Sequence, residues 1–348
     1  MPSYTHGGDI YGLAGPVLDF SANQNPLGMP PAVAEAARRA VEEAGRYPDS
    51  LCRDLRRAIG ARDGVPPEWV CCGNGAADVL FRLVLALGPR RALVTAPTFS
   101  EYESAVTAAG GTVLRHPLEA ERAFDVERSI LEAIDGRVDL VFLCNPNNPT
   151  GRAIPGEVLE EILLLCREQE ICLVVDECFL RLCDGGGEGL APRLREFPNL
   201  FLLRAFTKSH AIPGLRLGYG LTADPDLPGA LYRAGQPWSV SNVAQAAGIA
   251  ACACPEWPER AMEVIRPERR RLTQTLRARG ARVWESAANY LLFQLPGVTG
   301  LKERLLRRGV LIRSCANYPG LGPDFYRIAV RLPEENDRLL AALREEWN

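Results

Sequence analysis

Apolar residues fill nearly every position of five short runs, 92–95, 140–144, 171–175, 200–203 and 219–221. Unbroken apolar runs of this length, without polar alternation, read as buried strands. Between them the spacing becomes helical. Residues 31–44 place Val33, Ala36, Ala37, Ala40 and Val41 on one face, with Pro31 near the start and Gly45 at the end. Further helices are predicted over 51–62, 79–87, 157–169 and 242–254, with another beginning after Pro97. Strands alternating with helices predict an α/β fold with a mostly parallel central sheet. The character changes near Pro255. A long Arg/Glu-rich helix over 258–279 precedes strands at 281–284, 290–294, 310–313 and 326–330, with helices at 299–308 and from Glu334. The predicted organisation is an irregular Gly-, Asn- and Pro-rich arm (1–28), a large domain (29–255) and a smaller α+β domain (256–348), with the long helix as bridge.

Composition narrows the function classes. Lys and Arg number 40 against 43 Asp and Glu, a net charge of -3, so nothing electrostatic calls for nucleic acid or an anionic membrane. No apolar run approaches the length of a membrane span, and no basic-then-apolar leader opens the chain, so a cytoplasmic protein is expected. The eleven cysteines lie mostly inside apolar runs without paired Cys-x-x-Cys spacing. Buried thiols are expected rather than zinc or a disulfide framework.

Candidate chemistry gathers where the apolar runs end, the edge at which open α/β sheets place ligands. After 200–203 comes Thr207-Lys208, with Arg216 eight residues beyond the lysine. A lysine of lowered pKa forms a Schiff base with a carbonyl cofactor, and Thr207 and Arg216 suit its phosphate. Gly73-Asn74-Gly75-Ala76-Ala77 is a turn opening a helix, where backbone N–H groups at Gly75, Ala76 and Ala77 attract an anion. Phe99 follows a strand end, where an aromatic stacks on a flat heterocycle. The Asn-Pro-rich loop 145–151 offers amides suited to a phenolic oxygen. Asp176 closes an all-apolar strand and must be paired or ligand-bound; against a pyridine nitrogen it keeps that nitrogen protonated. Arg313 and Arg327 interrupt late strands and suit a doubly anionic substrate. Each feature alone also has a plain structural reading, as surface, cap or core.

Taken in order, Asn147-Asn148-Pro149-Thr150-Gly151, Asp176-Glu177, Thr207-Lys208 and Gly214-Leu215-Arg216-Leu217-Gly218-Tyr219 resemble the fold-type I pyridoxal-phosphate enzymes, in their histidinol-phosphate aminotransferase branch, over essentially the whole chain. His6-Gly7-Gly8, Asp19-Phe20-Ser21-Ala22-Asn23, Pro237-Trp238-Ser239-Val240 and residues 312–321 look most like the decarboxylases of that branch that act on L-threonine O-3-phosphate in cobalamin biosynthesis. The resemblance implies pyridoxal 5′-phosphate as cofactor. It implies Lys208 as the Schiff-base lysine, Asp176 at the pyridine nitrogen, Asn148 at the phenolic oxygen and Phe99 over the ring. Gly75, Ala76, Ala77, Thr207 and Arg216 would hold the cofactor phosphate. Tyr47 would reach the phosphate in the partner subunit of a homodimer. His6, Asn23, Arg313 and Arg327 would hold the substrate's phosphate and carboxylate. The alternatives are a histidinol-phosphate or related aminotransferase, or a decarboxylase of L-serine O-phosphate. Three positions depart from the family pattern. Ala205 lacks a hydroxyl that relatives offer the phosphate, Phe179 stands where the aminotransferases place a tyrosine, and His210 replaces a common aromatic.

Overall fold

The computed structural model describes residues 6–13 and 15–347. Of the arm expected over 1–28, residues 1–5 and 14 therefore lie outside the described residues. The chain begins with β1 (Leu18–Asp19), α1 (Pro31–Val41) and α2 (Arg53–Asp63). Next come β2 (Val70–Asn74), α3 (Ala76–Leu87), β3 (Arg91–Ala96), α4 (Glu101–Ala108), β4 (Thr112–Pro117), β5 (Leu140–Cys144) and α5 (Gly156–Glu168). They are followed by β6 (Cys172–Asp176), β7 (Leu200–Ala205), the one-turn helix α6 (Phe206–Ser209), β8 (Leu217–Thr222), α7 (Leu227–Arg233), α8 (Asn242–Cys252) and α9 (Glu256–Arg277). The rest comprises β9 (Arg282–Val283), β10 (Tyr290–Gln294), α10 (Leu301–Arg307), β11 (Val310–Leu311), β12 (Arg313–Ser314), β13 (Phe325–Ala329) and α11 (Pro333–Glu346).

The larger sheet has the order β2-β8-β7-β6-β5-β3-β4, and only β8 runs against its neighbours. Its central strands alternate between two cores. Val141, Leu143, Leu173, Val175, Leu200 and Leu202 join one, while Leu140, Phe142, Val174, Phe201 and Leu203 join the other. Period-2 side chains buried on both faces explain why these strands read as continuous apolar runs. Each such Leu, Val or Phe contributes about 1.5–3 kcal/mol by leaving water. β4 escapes the sequence pattern because it is an edge strand with mostly exposed or half-exposed positions, Arg115 among them.

Two expectations need correction. The patch at 17–20 is packed rather than irregular. β1 pairs in parallel with β11, and Phe20 is fully buried in the core beneath the smaller sheet. The single strand expected over 310–313 is two strands. β11 pairs with β1, and after Ile312 the chain changes partner so that β12 pairs with β13. The smaller sheet, β12-β13-β10-β9, is antiparallel.

Behind the ends of β6, β7 and β8 lies a buried ionic cluster. Asp63 pairs with Arg62 at 2.9 Å and Arg204 at 3.0 Å and accepts from the Tyr219 hydroxyl at 2.7 Å. Glu177 takes Arg204 at 2.6 Å. Burial works against the charged form of Asp63, but Arg62 and Arg204 outweigh it and hold the carboxyl well below the usual carboxylate range. A depressed folded-state pKa stabilises the fold above the unfolded value, about 3.9 for Asp, and that stability is lost as pH falls further. Asp63→Asn is therefore expected to cost about 3–5 kcal/mol at neutral pH by leaving buried cations unpaired. In thermal unfolding against pH, the gap to wild type should narrow below about pH 4; parallel curves would contradict this.

Candidate active site

Parallel register fixes the site. Cys144 lies opposite Asp176, and Asp176 opposite Leu203, so β5 and β6 end level and β7 runs two residues further, to Ala205. A cavity of about 410 Å³ opens there. It is lined by Ala76, Ala77, Phe99, Asn148, Asp176, Thr207, Lys208 and Arg216 from the larger sheet's side, and by His6, Asn23, Arg313 and Arg327 from the arm and smaller sheet.

One end suits a phosphate. Gly75 precedes α3 with φ +84°, and a Cβ there would sit 2.5 Å from Arg216 Nη2. A Cβ on Gly218 would come within 2.2 Å of the Ala76 nitrogen. Two glycines thus let Arg216 and the first amides of α3 converge, with Thr207 alongside. Arg216 itself is left-handed, φ +55°, and donates to the Pro213 carbonyl at 3.1 Å.

The middle suits a flat ring with a basic nitrogen. Asp176 is buried; its Oδ2 accepts from the Tyr102 hydroxyl at 2.6 Å and its Oδ1 from the Cys178 amide at 2.9 Å. Burial pushes this carboxyl up, while donors from Cys178 and Tyr102 and the charge of Lys208 pull it down. Tyr102 stacks on Phe142 at 5.0 Å and meets Phe99 edge-on at 5.6 Å. Sequence reasoning missed Tyr102, although its spacing of three from Phe99 at the start of a helix puts both on one side. On the opposite wall, Asn148 Oδ1 accepts from Arg327, which leaves the amide nitrogen as that side chain's donor to a ligand.

Lys208 sits on the one-turn α6. Burial, then the charges of Arg327 and Arg216, lowers its amine to about 8. The arm holds this turn: Asn25 donates its backbone N–H to the Lys208 carbonyl at 3.0 Å and its side chain to the Ser209 carbonyl at 2.8 Å. Phe179 presents its ring 5.9 Å from Lys208 Nζ.

The far wall is cationic. Arg313 and Arg327 are Cα partners across β12 and β13, both buried. Arg313 donates to Asn317 Oδ1 at 2.8 Å, and Arg327 to the Ser21 carbonyl at 2.7 Å. Asn23 is 2% exposed and lines the cavity, and its Oδ1 has no hydrogen-bond partner among the described residues. His6 pairs with Glu101 at 3.1 Å, its ring 6.2 Å from that of Phe99. Of the predicted residues, Tyr47 and Gly75 do not line this chain's cavity; Gly75 meets it only through Arg216. Tyr47 is exposed and its ring lies tilted 4.8 Å from that of Trp238. His210 gains a physical account. Its Nδ1 lies 2.9 Å from Ser209 Oγ and its ring 5.6 Å from Phe206, and burial, then Arg62, lowers its pKa to about 4. It is a neutral packing residue behind the lysine. Ala205 lines the cavity without offering a hydroxyl.

Phosphate seat, carboxylate for a ring nitrogen and lysine for a carbonyl lie in one cavity, and the group that needs all three is pyridoxal 5′-phosphate. The comparisons agree. The family "Aminotransferase class I and II" matches residues 15–343. Threonine-phosphate decarboxylase of Salmonella typhimurium is 38% identical, over 97% of this chain and 95% of that protein. Histidinol-phosphate aminotransferase of Desulfitobacterium hafniense is 36% identical, over 94% and 91%. The crystal structure of histidinol-phosphate aminotransferase from Sinorhizobium meliloti in complex with pyridoxal-5′-phosphate superposes with a TM-score of 0.82, at 26% identity over 93% of this chain and 89% of that one. The chain belongs to the class I and II aminotransferase family, with the fold-type I architecture and pyridoxal 5′-phosphate as cofactor.

A lysine amine at about 8 becomes a nucleophile well below the ordinary lysine value of about 10.4. The rate at which apo-protein captures pyridoxal phosphate, followed by absorbance and fixed by borohydride, should rise through pH 8 and level off above it. Lys208→Ala should abolish the fixed product. A rate still climbing at pH 10 would contradict the assignment.

Proposed function

We propose that the protein decarboxylates L-threonine O-3-phosphate to carbon dioxide and (R)-1-amino-2-propanol O-2-phosphate, for cobalamin biosynthesis. The observation that carries this reading is the wall a substrate would meet: Arg313 and Arg327 opposite each other in register, with the hydrocarbon face of Phe179 beside Lys208. In this reading Arg216, with Ala76, Ala77 and Thr207, serves the cofactor phosphate. A substrate bearing both a phosphate and a carboxylate then needs further fixed cations, and guanidinium forks orient such groups as well as bind them. Orientation about Cα decides which bond stands perpendicular to the cofactor plane and breaks. When bound, pyridoxal phosphate takes up the electron pair left on Cα as carbon dioxide departs.

Transamination asks Lys208 to lift a proton from Cα and place it elsewhere. Decarboxylation asks it only to deliver one to Cα, and an amine at about 8 holds and releases a proton near neutrality. The aminotransferases place a tyrosine where this chain has Phe179; a wall without that hydroxyl supports the simpler proton task. Asp176, steadied by Tyr102, sits at the ring nitrogen in this scheme, and Asn148 at the phenolic oxygen. His6 and Asn23 close the substrate side from the arm. The exposed ring of Tyr47 supports a homodimer in which it reaches the cofactor phosphate of the neighbouring subunit. The 38% identity to a threonine-phosphate decarboxylase supports the substrate choice, and the 36% identity to a histidinol-phosphate aminotransferase names the rival. L-serine O-phosphate lacks one methyl, a difference of about 1–3 kcal/mol in an apolar pocket.

Incubating the holoenzyme with L-threonine O-3-phosphate and no oxo-acid should release carbon dioxide and the amino-alcohol phosphate one for one. Turnover only with histidinol phosphate plus 2-oxoglutarate would refute the proposal.

A further inference from the structure

A second hollow lies apart from the cofactor cavity, along α9. Arg266, Arg269, Arg270, Thr273, Gln274 and Arg277 line it from that helix. Their spacing of three and four residues places them on one face. The opposite wall is Asp184, Glu285 and Ser286. Its volume is about 570 Å³, within the range of small-molecule sites.

Four arginines face two carboxylates there, an excess of two positive charges. Arg269 is committed: it pairs with Asp184 and donates to the Ala287 and Ala288 carbonyls at 2.9 Å each. Arg266 spends only its Nε on Asp184, at 2.9 Å, and Arg277 commits one terminal nitrogen, to Glu285 at 2.7 Å and the Val283 carbonyl at 2.8 Å. Arg270 is exposed. The donors left on Arg266, Arg270 and Arg277, with the Gln274 amide, converge on one hollow. Fixed guanidinium forks with spare N–H groups bind phosphoryl and carboxylate oxygens bidentately.

We propose that this groove binds a compact polyanion, a small molecule carrying two or more phosphoryl or carboxylate groups, at a site that backs onto the loop bearing Asn148. The groove wall touches the Asn148 loop directly. The Ala287 amide donates to the Gly151 carbonyl at 2.9 Å. Ser286 Oγ stands 2.1 Å from where a Cβ on Gly151 would be, so only glycine, here at φ +73°, allows the contact. The Asp184 amide donates to the Ala287 carbonyl at 2.8 Å. An anion held by Arg266, Arg270 and Arg277 would lie beside the 284–288 segment, which abuts the loop bearing Asn148.

The test is calorimetric titration of the holoenzyme with tripolyphosphate, with citrate run in parallel to tell phosphoryl from carboxylate ligands. The Arg313→Gln holoenzyme, impaired at the substrate wall, should keep a saturable site for one or both probes. Adding Arg266→Glu and Arg270→Glu should weaken that site at least tenfold. The same pair in the wild-type background should leave turnover without polyanion unchanged. Arg338→Glu, an exposed arginine outside the groove, should leave the affinity unchanged. The proposal is overturned if neither probe binds saturably, if Arg313→Gln removes the binding, if the Arg266/Arg270 variant binds as tightly as its parent, or if Arg338→Glu weakens binding equally.

Discussion

The parallel register of β5, β6 and β7 is the constraint on which the rest depends. With Cys144, Asp176 and Leu203 side by side, the next residues of each strand emerge at one edge: the Asn148 loop, Glu177 and the Lys208 turn. A slip of one residue in any strand would turn its side chains to the other core. The alternating burial of all three strands against two cores opposes such a slip, because every side chain would then meet the packing of the other core. Packing far from the chemistry thus sets the distance between a lysine and a carboxylate that share no local sequence.

That edge then has to hold charge out of water. Asp176 and Arg327 are buried beside the half-buried Lys208, with the more exposed Arg216 at the rim, and the buried charges are tolerated through their partners. Asp176 is held by Tyr102 and Cys178. Arg327 is held by Asn148 and the Ser21 carbonyl. Lys208 carries the burden instead as a lowered pKa, which makes it a better nucleophile and proton carrier. Behind it, Asp63, Arg204, Glu177 and Tyr219 form a second ionic layer that keeps the strand ends from parting.

Much of this was legible in the chain. Continuous apolar runs revealed the central strands because both faces are buried, and functional residues followed because each sits where such a run stops. Arg313 and Arg327 were visible as charges interrupting apolar strands. Their pairing was not, because it arises from the change of partner after Ile312, which hydrophobic pattern does not encode. Tyr102 was hidden because, flanked by Glu101 and Glu103, it stands in no apolar pattern; only the fold shows its hydroxyl on Asp176. Phe20 and β1 looked like loop because a two-residue strand has no periodicity to detect. β4 was lost because an edge strand is largely wetted. Tyr47 cannot be placed at a cofactor from one chain alone, since its ring points outward.

The central claim is that the substrate wall, not the lysine, selects the bond that breaks at Cα. L-threonine O-3-phosphate carrying deuterium at Cα tests it in one measurement, by mass spectrometry of the product formed in ordinary water. The account predicts that the amino-alcohol phosphate keeps the deuterium and gains one solvent hydrogen in place of the carboxylate. Loss of the deuterium to solvent, ahead of or instead of carbon dioxide release, would show that the Cα–H bond is the one held for cleavage and would contradict the account.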